Sequence, residues 1–142
     1  MKNKSILIIE SNYYSEISNN LFVSAKEVIE KNNYKYEVIK VPGALEIPVT
    51  LEKYKDEFIG FIILGCVIKG ETSHNEIVQN ITSSSIYNIV NKNQLAIGFG
   101  LLTVENMKQA EIRSSKNMKN VGGKSAEACI KMINILKMWA YE

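Results

Sequence analysis

Four runs of this 142-residue chain are dominated by Ile, Leu, Val and Phe: SILIIE (5–10), YEVIKV (36–41), EFIGFIILGCVI (57–68) and QLAIGFGLLT (94–103). The first and third are nearly continuous rather than alternating, which is the pattern of strands covered on both faces. Between them, apolar residues fall at helical spacing. From Ser15 to Lys31 they recur at Ile17, Leu21, Val23, Ala25, Val28 and Ile29. A shorter helix is predicted from Ala44 to Tyr54. From Asn75 to Asn91, Ile77, Val78, Ile81, Ile86 and Ile89 lie mostly on one face. A short helix is predicted from Val104 to Arg113, with Thr103 as its N-cap and Asn106 in its first turn. The last helix, Lys124 to Trp139, carries Ala126, Cys129, Ile130, Ile133, Leu136 and Trp139 on its apolar face. The order is β-α-β-α-β-α-β-α-α. Strands alternating with helices predict right-handed crossovers and a three-layer α/β/α sandwich around a four-stranded parallel sheet. Residues 1–142 read as one domain, with no linker, repeat or low-complexity segment.

Composition narrows the class. Hydrophobic residues make up 46% and charged residues 23%, ordinary values for a globular protein with a core of useful size. Seventeen basic against 15 acidic residues give a net charge of +2, too balanced to argue for nucleic acid. The basic residues do cluster in one place, where Lys108, Arg113, Lys116, Lys119 and Lys124 face one acid, Glu111. A solvated helix face and loop accounts for such a run. No stretch approaches the roughly 20 apolar residues of a membrane span. The N-terminal apolar run, Ile6 to Ile9, is too short for the core of a signal peptide. A cytoplasmic protein is expected, with Cys66 and Cys129 reduced and buried. One histidine and two scattered cysteines predict no metal site.

In a sheet of this kind ligands bind beyond the carboxyl ends of the strands. The segments leaving those ends are SNYYS (11–15), VPGALEIP (41–48), KGETSH (69–74) and TVEN (103–106). In the third, Gly70 frees the backbone, and Thr72 is placed to cap the helix that follows. Backbone N–H groups there favour an anion, which makes Gly70, Glu71 and Thr72 a phosphate seat; a plain glycine turn with a capped helix is the alternative. His74, the chain's only histidine, stands at that helix start. Its position disfavours the charged form and keeps a neutral base near pH 7, although a packing role is the commoner use of a lone histidine. In the second segment, Pro42 and Gly43 turn the chain and bring the backbone of Ala44 and Leu45 toward a ligand. Glu46 suits a helix N-terminus on electrostatic grounds alone. Tyr13 and Tyr14 offer an aromatic face to a flat ring or pack at the sheet edge. Phe99 lies inside a strand, where core is the default. Arg113 is either a surface charge or an anion clamp.

Together, VPGALEIPVT, GCVIKGETSHNEIV, IGFGLLTVENMKQA and Arg113 resemble the lumazine synthase family over nearly the whole chain. The resemblance implies a flavodoxin-like topology and a cofactor-free transferase. The enzyme would condense 5-amino-6-(D-ribitylamino)uracil with 3,4-dihydroxy-2-butanone 4-phosphate, the penultimate step of riboflavin biosynthesis. A non-catalytic flavin- or lumazine-binding module or carrier on the same scaffold is the alternative. Carried over by residue, the stacking aromatic is Tyr13, with Tyr14 one position off. Ala44, Leu45 and Glu46 bind the uracil substrate. Cys66, Val67 and Ile68 touch its ring and ribityl chain, and Phe99 reaches it across a subunit boundary. Gly70, Glu71, Thr72 and Arg113 hold the phosphate of the butanone, and His74 moves protons. The implied assembly is a homo-oligomer, a pentamer or a multiple of pentamers, with sites between subunits. One departure stands out: Val121 occupies the place of a phosphate-binding lysine, leaving that task to Arg113, Lys119 or Lys124.

Overall fold

A computed structural model describes residues 3–69 and 75–137. Strands β1 (Asn3–Ser11), β2 (Lys35–Val41), β3 (Phe58–Ile68) and β4 (Ile97–Val104) form one sheet in the order β2-β1-β3-β4, with every neighbouring pair parallel. The helices are α1 (Ser15–Lys31), α2 (Ile47–Tyr54), α3 (Asn75–Asn93), α4 (Met107–Ser114) and α5 (Val121–Lys137). The three-layer sandwich expected from the hydrophobic pattern is the observed architecture.

The sheet separates two cores. Ile6 and Ile8 point to one face, where Ile17, Leu21, Ala25 and Ile29 of α1 meet Ala126, Cys129, Ile130 and Ile133 of α5. Leu7 and Ile9 point to the other, toward Ile47 and Leu51 of α2 and Ile86 and Val90 of α3. All four β1 residues are fully buried, which explains the continuous rather than alternating run. Each such side chain contributes about 1.5–3 kcal/mol by leaving water.

Two glycines let α5 come this close. A Cβ on Gly98 would collide with the Ser125 carbonyl oxygen, and one on Gly122 with the Leu21 carbonyl oxygen. Both obstacles are backbone, so neither yields by a rotamer change. Gly98→Ala is therefore expected to destabilise the fold by about 3 kcal/mol, at the upper end of overpacking penalties, read as a lower urea midpoint with unchanged slope.

Several boundaries differ from the sequence expectation. Residue 104 belongs to a strand, not a helix: β4 pairs with β3 through Ile68↔Val104. The cap of α4 is accordingly Asn106, whose side chain accepts from the Gln109 N–H, and not Thr103. Helix α5 begins at Val121, before the two glycines, and Asn120 accepts from the Gly123 N–H. The predicted helix from Ala44 opens instead as a 3₁₀ turn (Ala44–Glu46) before α2, with Pro48 in the first turn of α2.

Candidate active site

β1 runs outward to β2 through α1, and β2 returns across the sheet to β3 through α2. The strand order therefore reverses between β1 and β3. Carboxyl ends of strands at such a switch point splay around a crevice. A cavity of about 250 Å³ lies there. Its walls come from three separate chain segments: Tyr13 and Tyr14 after β1, the turn Gly43–Glu46 after β2, and Cys66, Val67 and Ile68 at the end of β3. Asn75 and Val78 of α3 complete the lining among the described residues.

Each wall has a local cause. Tyr13 and Tyr14 meet edge to face at 4.9 Å. Tyr14 packs against the α1-side core, while Tyr13 is 73% exposed. Tyr13 therefore has ring surface to give to a ligand. In the second wall, Gly43 is extended and its carbonyl accepts from the Glu46 N–H at 3.2 Å, closing the 3₁₀ turn. The Glu46 carboxylate folds back over Gly43, close enough that a Cβ there would lie 3.2 Å from Oε1. Leu45 is half exposed beside it. The third wall is apolar: Cys66, Val67 and Ile68 are all buried.

Burial pushes the Cys66 thiol up to about 11, so it is a neutral wall at physiological pH rather than a nucleophile. Cys129, in the α5 core, is pushed up to about 12 for the same reason. Both cysteines are free. Neither is expected to react with a disulfide-forming thiol reagent in the native protein at neutral pH, and both should react after unfolding in urea; a colorimetric thiol count reads the difference.

Asn75 was not singled out by its sequence, because an Asn at a helix start reads as an ordinary cap. Its amide donates to the Ile68 carbonyl at 2.6 Å, tying the first residue of α3 to the last residue of β3. The segment between them, with Gly70, Glu71, Thr72 and His74, lies outside the described residues.

Phe99 and Arg113 do not line this cavity. Phe99, half-buried on β4, packs its ring 5.3 Å from that of Tyr87. Arg113, half-buried at the end of α4, donates from Nη1 to the Thr103 carbonyl at 3.3 Å. The rest of the basic run is solvated, with Lys116 paired to Glu27 at 2.7 Å and Lys108, Lys119 and Lys124 exposed. Among the described residues no cluster of His, Cys, Asp or Glu has metal-binding geometry, and no helix is long and apolar enough to cross a membrane.

A parallel α/β sandwich with its crevice at the switch point defines a small-molecule site of the doubly wound class. The family model described as 6,7-dimethyl-8-ribityllumazine synthase matches residues 3–137. The 6,7-dimethyl-8-ribityllumazine synthase of Bartonella bacilliformis is 45% identical over 139 residues, covering 95% of this chain and 91% of its own. The protein of the same name from Zymomonas mobilis is 42% identical over 133 residues, covering 92% and 95%. That of Agrobacterium fabrum is 39% identical over 144 residues, covering 96% and 97%. The chain belongs to the 6,7-dimethyl-8-ribityllumazine synthase family.

Proposed function

We infer that the chain is a 6,7-dimethyl-8-ribityllumazine synthase, joining 5-amino-6-(D-ribitylamino)uracil to 3,4-dihydroxy-2-butanone 4-phosphate. One observation carries the reading beyond family membership: a single cavity gathers Tyr13, Ala44, Leu45, Glu46, Cys66, Val67 and Ile68 from three strand ends. An aromatic face, a turn with backbone groups and a carboxylate, and an apolar wall are what a flat, polar-edged pyrimidine requires.

The chemistry needs little else. The 5-amino group attacks the ketone and water leaves to form an imine. Phosphate is then eliminated, and the 6-amino nitrogen closes the second ring with loss of another water. Holding both reactants in register supplies much of the acceleration, and a proton shuttle supplies more. Tyr13 stacks on the pyrimidine, while Glu46 and the backbone of Ala44 and Leu45 orient its polar edge. Gly70, Glu71 and Thr72 seat the phosphate with Arg113, and His74 moves the protons.

Arg113 and Phe99 stand on α4 and β4, off the cavity that their own chain forms. This supports a homopentamer, or a multiple of pentamers, in which a neighbour supplies both residues to each site. A cytoplasmic location accords with the substrates. The test is direct: purified protein mixed with both substrates should generate the fluorescence of the lumazine product. Saturable binding of either substrate with no product at any protein concentration would leave a binder or carrier instead.

A further inference from the structure

A second cavity lies on the opposite face of the sheet, under α1, with a volume of about 420 Å³. Its floor is Glu10 of β1 with Lys40 and Val38 of β2; Glu10 and Lys40 are register partners, so they share a face. Its roof is Ser15, Asn19 and Phe22, which the i, i+4, i+7 spacing of α1 places in one row. Asn12 closes the end nearest the β1 terminus.

Glu10 makes this cavity unusual. The residue is only 3% exposed, yet among the described residues its carboxylate accepts no hydrogen bond and has no ion pair within 4 Å. Burial raises its pKa above the ordinary carboxyl value, and Lys40 acts in the opposite direction. Its carboxylate oxygens are not among the fully buried atoms that lack a partner, so their donors come from the cavity that Glu10 lines, as water or as ligand hydroxyls.

We propose that this cavity is a second small-molecule site, distinct from the crevice at the switch point, and that it takes a neutral polyol. Glu10 and Lys40 offset one another, so the lining carries no net charge that would favour an ion of either sign. Glu10 accepts from two vicinal hydroxyls, and the amides of Asn12 and Asn19 both donate and accept. Phe22 and Val38 cover the carbon skeleton, whose C–H faces pack against apolar surface.

The test is calorimetric titration of the full-length protein with ribitol, with inorganic phosphate and putrescine as charged comparators. Saturable ribitol binding is expected. Glu10→Gln and Asn19→Leu should each weaken it by about tenfold or more, the worth of a hydrogen bond to a charged group or of a lost bidentate amide. Tyr13→Ala, which alters the other crevice, should leave ribitol binding intact. Glu10→Gln removes the buried charge, so it should fold, and lumazine formation should be unchanged in it. Absence of ribitol binding would overturn the proposal. So would loss of binding in Tyr13→Ala with retention in Glu10→Gln, since the polyol would then sit in the first crevice. Tighter binding of phosphate or putrescine would refute the ligand class.

Discussion

Alanine in place of His74 is expected to slow turnover by about 10²–10⁴-fold while changing the KM of either substrate little. Imine formation and phosphate loss each need a proton delivered or withdrawn near neutral pH. Cys66 faces the crevice but holds its proton until about pH 11. Glu46 is engaged over the turn at Gly43. The chain has no other histidine, so the one imidazole falls in the segment that joins two residues of the crevice wall, Ile68 and Asn75. The residual rate in the variant reflects reactants still held in register, which does not depend on the shuttle. The wild-type pH–rate profile should lose its near-neutral limb in the variant. A His74→Ala protein with full kcat would remove His74 from the mechanism.

For Arg113→Ala, the KM of the phosphate-bearing substrate is expected to rise about 10–100-fold, with the KM of the pyrimidine unchanged. That range corresponds to one charge-assisted contact of about 1.5–3 kcal/mol. Among the described residues the guanidinium has one weak tie, 3.3 Å from the Thr103 carbonyl, which leaves most of its five N–H donors for an anion. A mixing experiment separates supply by a neighbour from supply within the chain. His74→Ala and Arg113→Ala protomers, unfolded together and reassembled, should regain activity, because some sites then combine an intact imidazole with an intact guanidinium. Mixed assemblies no more active than the two separate variants would place both groups on one chain.

The layer order was legible because both of its signals are local. Continuous apolar runs mark strands covered twice, and the 3.6-residue rhythm of Ile17, Leu21 and Ala25 marks the face of α1. The crevice was legible for a different reason: the residues at strand ends are out of keeping with their surroundings, as Gly43 and Glu46 show. What escaped was set by partners distant in sequence. Val104 extends β4 because Ile68 lies beside it, which outweighs the cap signal of Thr103. Gly122 and Gly123 argue against a helix by propensity, yet α5 includes them because only a glycine at 122 admits the Leu21 backbone. Asn75 carried no signal of its own, because its tie runs seven residues back to the Ile68 carbonyl. Which of Tyr13 and Tyr14 keeps an exposed ring likewise depended on which one the α1-side core claimed.

β3 is bordered by β1 on one side and β4 on the other, and all its residues but Ile59 are buried. No local fluctuation reaches its amides without opening both cores at once. In deuterium-exchange measurements these amides should therefore be the last to label, at the free energy of global unfolding, while the outer strand β2 labels early through fraying. The crevice would thus be anchored on the slowest-opening of the described elements, and a ligand could come and go at its rim without loosening the wall it rests against.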